Sequence, residues 1–188
     1  MALLLFGVEE VHLSLLHIRK EVVVFPAMHN RWVTFDCYGT LIRRSSLSAV
    51  RPFDDVEPML AELRLRGYRL GVLTNCDGAL FEATHRRFRQ PFDLFVTADR
   101  IRGYKPELWH FRGFQLLAHV SKRDWVHVSA DWRQDIVPAE SFGIQRVWFD
   151  RDRVGEDPSR ATAHVHSAKE VLRAVDWLFQ DRAVVCAS

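Results

Sequence analysis

The chain has 188 residues, 48% of them hydrophobic and 27% charged, with a formal net charge of +2 at pH 7. That length predicts one domain, and the balance excludes a wholly disordered chain and a strong electrostatic pull toward nucleic acid or an anionic membrane. No apolar run approaches the roughly 18 residues of a membrane-spanning helix, and Ala2–Val8 is too short and lacks the basic flank of a secretory leader. The three cysteines, Cys37, Cys76 and Cys186, make neither an even disulfide set nor a metal-ligand spacing. They point to a reducing compartment, most simply the cytosol. Nine histidines are scattered, and none pairs at metal-ligand spacing. Only four of the 26 basic residues are lysine (Lys20, Lys105, Lys122 and Lys169), so a lysine in a special place is informative here.

Residues 1–27 carry leucine and valine clusters with no clear period. They are expected to be an N-terminal appendage or leader, with Met28 opening a folded core of residues 28–188. The alternative is a real helix and strand along one sheet edge. From there the pattern alternates. Trp32–Phe35 reads as a buried strand, Val56–Arg66 as a helix stopped by Gly67, and Arg69–Leu73 as a second strand. Leu80–Arg89 is a helix closed by Pro91, and Asp93–Thr97 a third strand. Pro106–Val120 is a helix with proline in its first turn, and Trp125–Val128 a fourth strand. Asp135–Phe142 is a short helix ended by Gly143, followed by a fifth strand, Gln145–Phe149. Val165 marks a short edge strand, and Ala168–Phe179 a last helix. Strands alternating with helices of this size imply an α/β fold: a Rossmann-like three-layer sandwich around a mainly parallel sheet of about five strands.

Open α/β sheets bind ligands beyond the carboxyl ends of their strands. The first strand delivers Asp36, followed by Cys37-Tyr38-Gly39-Thr40. The second delivers Thr74 and Asn75. Lys105-Pro106 precedes the fourth helix, and the fourth strand ends in Ser129-Ala130-Asp131, with Asp135 beyond. Hydroxyls at Thr40 and Thr74 suit the oxygens of an anionic substrate. Paired aspartates suit a hard cation such as Mg²⁺. Each aspartate also has a plainer role as a turn or helix cap.

In order and spacing these segments resemble the haloacid dehalogenase superfamily over about residues 31–178. Phe35–Leu41 (FDCYGTL) resembles its first motif and Leu70–Asn75 (LGVLTN) its second. Tyr104-Lys105-Pro106 resembles the third, and Asp131 with Asp135 the fourth. The resemblance implies a nucleophile at Asp36, with Thr40, Thr74, Lys105 and Asp135 as catalytic partners. It also implies substrate contacts at Tyr38, Gly39, Asn75 and Ser129, and a Mg²⁺ site at Asp36, Asp131 and the carbonyl of Tyr38. The phosphatases of the superfamily keep an acid two residues after the nucleophile. Tyr38 stands there instead, which resembles the 2-haloacid dehalogenases, whose halide leaving group needs no proton and which use no metal. Asp131 resembles the phosphatases. Only eleven residues, Leu41–Arg51, separate Thr40 from Pro52, and seven, Ala98–Tyr104, separate Thr97 from Lys105. Neither of the family's cap domains fits there. The expected protein is therefore an uncapped hydrolase acting on a small anionic substrate through an aspartyl intermediate. No nucleic-acid or membrane partner is expected, and a homodimer is a way to cover the site. Arg43 and Arg44 stand in the Leu41–Arg51 segment as candidate contacts for an anion, without matching the arginine of the family's cap. The alternatives are a Mg²⁺-dependent phosphatase and a retired enzyme kept as a binding or scaffold protein.

Overall fold

Runs of β-branched and aromatic residues without polar alternation belong to strands buried on both faces. Such runs form the middle of this sheet. The computed structural model describes residues 30–43 and 50–180; the segment 1–27, Met28, Arg44 and Cys186 lie outside the described residues. Six parallel strands, β1 (Trp32–Phe35), β2 (Arg69–Thr74), β3 (Leu94–Thr97), β4 (Trp125–Ser129), β5 (Gln145–Phe149) and β6 (Ala163–Val165), lie in the order β3-β2-β1-β4-β5-β6. The sheet therefore has one strand more than the five expected, because Val165 heads a true edge strand. The order reverses between β1 and β4, which makes the gap beyond their carboxyl ends the topological switch point.

Alternation along the strands builds two cores. Val33, Phe35, Val72, Val126 and Val128 face α1 (Val56–Leu65) and α6 (Ala168–Gln180). Helix α1 presents Val56, Met59, Leu60 and Leu63 to them, one stripe of an amphipathic helix. On the other side, Trp32, Leu73, Val96 and Trp125 face α4 (Trp109–Ala118) and α5 (Val137–Phe142). Helices α2 (Gly78–His85) and α3 (Ala98–Ile101) complete the chain. Helix α6 opens with a capping box: Glu170 N–H donates to Ser167 Oγ at 3.3 Å, and Ser167 N–H to Glu170 Oε2 at 3.0 Å.

Several helix boundaries differ from expectation. Helix α2 starts at Gly78, where Asp77 caps it by accepting Leu80 N–H at 2.8 Å, and stops at His85 rather than Arg89. Helix α4 begins at Trp109 and not Pro106, because Lys105–Leu108 is spent on the turn that drives Lys105 inward. A π-helical turn, Trp132–Ile136, precedes α5, so helical backbone starts before Asp135. The four-residue α3 had no sequence signal. Between β1 and α1 the described residues pair at the base of a flap, with Ile42 bridged to Pro52 and Arg43 N–H donating to Arg51 O at 3.2 Å. No helix of the described residues is long and apolar enough to cross a membrane.

One close approach sets the spacing of sheet and α4. A Cβ on Gly71 would lie 2.6 Å from Phe114 Cε2 and 3.0 Å from Thr34 Cγ2. Phe114 is itself wedged edge-on against Trp32, with ring centroids 5.1 Å apart. Gly71→Ala is therefore expected to destabilise the protein by about 1–3 kcal/mol through overpacking. Urea unfolding measures it, and an unchanged midpoint would contradict the packing described.

Candidate active site

Strands β1, β2 and β4 end at one level, and the side chains just beyond them converge. Asp36 N–H donates to Val128 O at 3.1 Å, so the first residue after β1 is still held by β4. Its carboxylate is gripped from two sides. Thr40 Oγ1 donates to Oδ2 at 3.0 Å, and Lys105 Nζ to Oδ1 at 2.8 Å. Gly39 makes the turn between them at φ +95°, a conformation that suits glycine. Thr40 Oγ1 also accepts Ala130 N–H at 2.9 Å, tying the loop after β1 to the end of β4.

Lys105 spends all three ammonium protons inside the protein. Besides Asp36, Nζ donates to Leu73 O at 3.0 Å and to both Asp135 oxygens at 2.8 and 3.0 Å. Lys105 is only 4% exposed and Asp135 wholly buried. Burial works against the Lys105 charge, but Asp135 and Asp36 outweigh it and hold the ammonium above its ordinary pKa. Burial likewise opposes the Asp135 charge, yet Lys105 and His127 bring that carboxyl down to about 2. For Asp36 burial wins: Lys105 and Thr40 only partly offset it, Asp135 adds repulsion, and the carboxyl titrates above its usual value. Two carboxylates share one ammonium, and Asp36 is the one left short.

The reason is a buried relay behind Asp135. Trp125 Nε1 donates to Thr34 Oγ1 at 2.7 Å, and Thr34 lies 2.9 Å from His127 Nδ1. His127 Nε2 lies 3.0 Å from Asp135 Oδ1. A carboxylate only accepts, so Nε2 carries a proton and donates it to Asp135. His127 thus satisfies Asp135 from the side away from Lys105.

Of the other expected site residues, Asn75 clamps the Lys105 backbone, accepting its N–H at 2.7 Å and donating to its carbonyl at 3.1 Å. A third bond from Asn75 reaches Gln134 Oε1 at 2.8 Å. Thr74 is buried, and its carbonyl accepts from His110 Nε2 at 2.9 Å. Burial presses the His110 ring down to about 4, so it is the neutral donor in that bond. Ser129 is fully buried, and its hydroxyl accepts Asp131 N–H at 2.9 Å. It does not line the cavity described next. Asp131 caps the π-helical turn by accepting Gln134 N–H at 2.9 Å. The Tyr38 hydroxyl lies 3.0 Å from Thr84 Oγ1, and burial pushes its pKa up to about 12. It is a neutral phenol and no proton carrier at ordinary pH.

Asp36, Tyr38, Thr74, Asn75 and Asp131 line one open cavity of about 350 Å³. A second, of about 460 Å³, adjoins it at Asp131 and is walled by Gly39, Arg43 and Trp132. Arg43 stacks on Phe53, 4.8 Å from the ring centre, with its side chain 57% exposed. A larger hollow of about 640 Å³ lies beside α1 and is lined by none of the expected site residues. The chemistry, not the size, marks the site.

The structure is thus a Rossmann-like α/β fold that carries a buried Asp–Lys–Asp cluster at its switch point. The chain belongs to the haloacid dehalogenase-like hydrolase family, whose model matches residues 12–149. It is similar to haloacetate dehalogenase H-2 of Moraxella sp. (strain B), 28% identical over 117 residues that make up 58% of this chain and 51% of that protein. It is also similar to the (S)-2-haloacid dehalogenase of Pseudomonas sp. (strain YL), 27% identical over 140 residues, 70% of this chain and 56% of that protein. Both point to the dehalogenase-like branch anticipated from Asp36-Cys37-Tyr38-Gly39-Thr40. The chain spans about half the length of these curated relatives. Among solved structures, the L-2-haloacid dehalogenase RSc1362 superposes with a TM-score of 0.69 at 18% identity, covering 78% of this chain and 98% of that one. A HAD phosphatase from Thermococcus onnurineus gives 0.64 at 19% identity, covering 76% and 96%. At such identities the two show the fold, which dehalogenase and phosphatase share.

Sequence reasoning missed Thr34, Trp125, His127 and Gln134. Thr34 and His127 are register partners on β1 and β4, each two residues before a strand-end polar group. Matching polar positions at equal distance from strand ends was the available signal. The Asp135 shift fixes a pH dependence. A carboxyl that titrates at about 2, against an ordinary 3.8, lends stability that is complete above pH 3.8 and is lost as pH falls through 2. Asp135→Asn is expected to cost about 3–5 kcal/mol at neutral pH. The gap to wild type should shrink from about pH 4 toward pH 2. Denaturant unfolding across that range checks it; a gap independent of pH would contradict the ion-pair origin.

Proposed function

We propose that the protein hydrolyses a small anionic substrate of the 2-haloacid type through a covalent ester on Asp36. The observation that carries this is the grip on Asp36. Both carboxylate oxygens are oriented by Thr40 and Lys105, and the group lines an open cavity. An Asp36 oxygen attacks the carbon bearing the halogen, the C–X bond breaks, and halide leaves with the electron pair. Water then attacks the Asp36 carboxyl carbon; one of its protons passes to the leaving alkoxide oxygen and the other to solvent. The 2-hydroxy acid leaves, and Asp36 is restored. Halide needs no protonation, which agrees with a neutral, Thr84-bonded phenol where a general acid would otherwise stand. Lys105 balances the charge on Asp36 before attack, and the Asn75 clamp fixes the lysine backbone. The likeness to two named dehalogenases supports the same reading.

A second reading rests on Asp131, which faces the same cavity as Asp36. Asp36, Asp131 and the Tyr38 carbonyl offer an oxygen-only donor set that fits Mg²⁺. Bound there, the ion would neutralise a phosphate ester. Asp36 would then attack phosphorus, and Thr40 and Lys105 would hold the anion. Neither reading gives the site a cap, and the flap brings Arg43 no closer than the adjoining cavity.

Chloride release from 2-chloropropionate in EDTA, beside hydrolysis of an aryl phosphate with Mg²⁺, separates the two. The first reading predicts chloride without metal, and a loss of at least about 10³-fold in Asp36→Asn. Its acid limb should have a midpoint above 3.8, because Asp36 is held above its usual pKa and must be ionised to attack. A single turnover in H₂¹⁸O should leave the label in Asp36, read by mass spectrometry of its peptide. Label found directly in the product, with Asp36 unlabelled, would exclude the ester. Mg²⁺-dependent phosphate release alone would favour the second reading, and folded protein with neither activity would contradict both.

A further inference from the structure

We propose that Asp150, His164 and His166 form a binding site for a divalent transition-metal ion of the Zn²⁺ kind, separate from the reaction centre. The histidines were expected not to pair at metal-ligand spacing; His164 and His166 do so, because a strand repeats every two residues. His164 and His166 therefore lie on one face of the β6 edge, as Trp148 and Asp150 do along β5. The register pairs Trp148 with His164 and Phe149 with Val165, which puts Asp150 and His166 side by side just beyond the two strands.

One oxygen of Asp150 and one ring nitrogen from each histidine all lie within 4.8 Å of one another. His164 Nε2 is 3.1 Å from Asp150 Oδ2, close to the roughly 3.3 Å between ligand atoms on a tetrahedral zinc ion. Each group is already oriented. Asp150 is 3% exposed, and its other oxygen accepts Val154 N–H at 3.0 Å, which turns Oδ2 toward His164. The His164 ring stacks on Trp148, centroids 4.2 Å apart and nearly parallel at 11°. His166 Nδ1 lies 3.0 Å from the Asp150 carbonyl, which only accepts, so Nδ1 donates and Nε2 is the nitrogen left to face an ion. Metal-binding histidines show this arrangement, with the second ring N–H spent on a carbonyl. Glu170 stands nearby, but its Oε2 is engaged by the N–H groups of His166 and Ser167.

Two imidazoles and one carboxylate select a borderline-soft ion over Mg²⁺ or Ca²⁺. Both histidines are exposed, so water completes the shell. Protons compete with the ion for the imidazole nitrogens, which makes binding weaker in acid. The ion would join the edge strand β6 to β5. It would also sit one ring away from the loop after β4, because Trp148 contacts Trp132 with centroids 4.7 Å apart.

Calorimetric titration of the full chain, stripped with EDTA, with ZnCl₂ tests this. Saturable binding of about one equivalent is expected. His164→Ala and His166→Ala should each weaken it by about tenfold or more, and Asp131→Asn should leave it unchanged. Zn²⁺ should also raise the melting temperature of the wild type and not of the histidine variants. Melting of each variant in EDTA confirms that it folds. Absence of saturable binding, binding that survives both histidine replacements, or binding lost in Asp131→Asn would each overturn the site.

Discussion

A single buried ammonium holds this site together. Lys105 has given up water, and its three protons are bound by Asp36, Asp135 and the Leu73 carbonyl. A buried charge is tolerated only when paired and hydrogen-bonded. Here the pairing ties together the ends of β1, β2 and β4 and the turn before α4. Removing the lysine would leave two carboxylates facing each other in a dry pocket. The cluster carries one negative charge more than positive, and the structure decides where that imbalance falls. His127, held by Thr34 and Trp125, donates to Asp135 and settles it as the permanent anion. Asp36 lacks such a donor beyond Thr40, and it is the carboxylate that faces the cavity. Reactivity and stability are thereby assigned to different members of one ion cluster.

The sheet makes this economical. Parallel strands end together, and the order reversal between β1 and β4 opens a gap where Asp36 and Asp131 face each other across the switch point. Gly39 turns the chain out of β1, Thr40 pins the turn to Ala130, and Asn75 fixes the peptide that carries Lys105. Asn75 and Ser129 were expected at the substrate. Asn75 lines the cavity and also holds the backbone of Lys105, while the Ser129 hydroxyl, outside the cavity, holds the backbone of Asp131. Arg151 does similar work for the flap. It donates to the Thr40 carbonyl at 3.0 Å and bridges to Asp55 at 3.0 and 3.1 Å, stacked on Phe53 and Phe149.

Much of this was legible in the chain. Asp36, Thr40, Thr74, Lys105 and Asp135 each stand at a strand end or a helix start, and strand ends are found from hydrophobic runs. What was hidden has a common cause. Thr34, Trp125 and His127 lie inside strands, where a polar residue reads as a tolerated exception and its partner is set by register across the sheet. The late start of α4 was hidden because tertiary pairing of Lys105 overrides a good helix-start signal at Pro106. The edge strand was legible at Val165, but His164 and His166 beside it were not read as a pair, because two residues apart is a strand spacing whose meaning depends on the register with β5. The status of residues 1–27 lies outside the described residues.

The central claim is that Lys105 is shared unequally, with Asp135 the fixed anion and Asp36 the carboxylate that takes the first proton. A ¹³C NMR titration of the side-chain carboxyl carbons of the full chain, assigned with Asp36→Asn and Asp135→Asn, reads this directly. The account predicts that Asp36 titrates above 3.8 while Asp135 stays ionised until near pH 2 or unfolding. If Asp135 takes the first proton and Asp36 remains the anion, the division of roles described here is wrong.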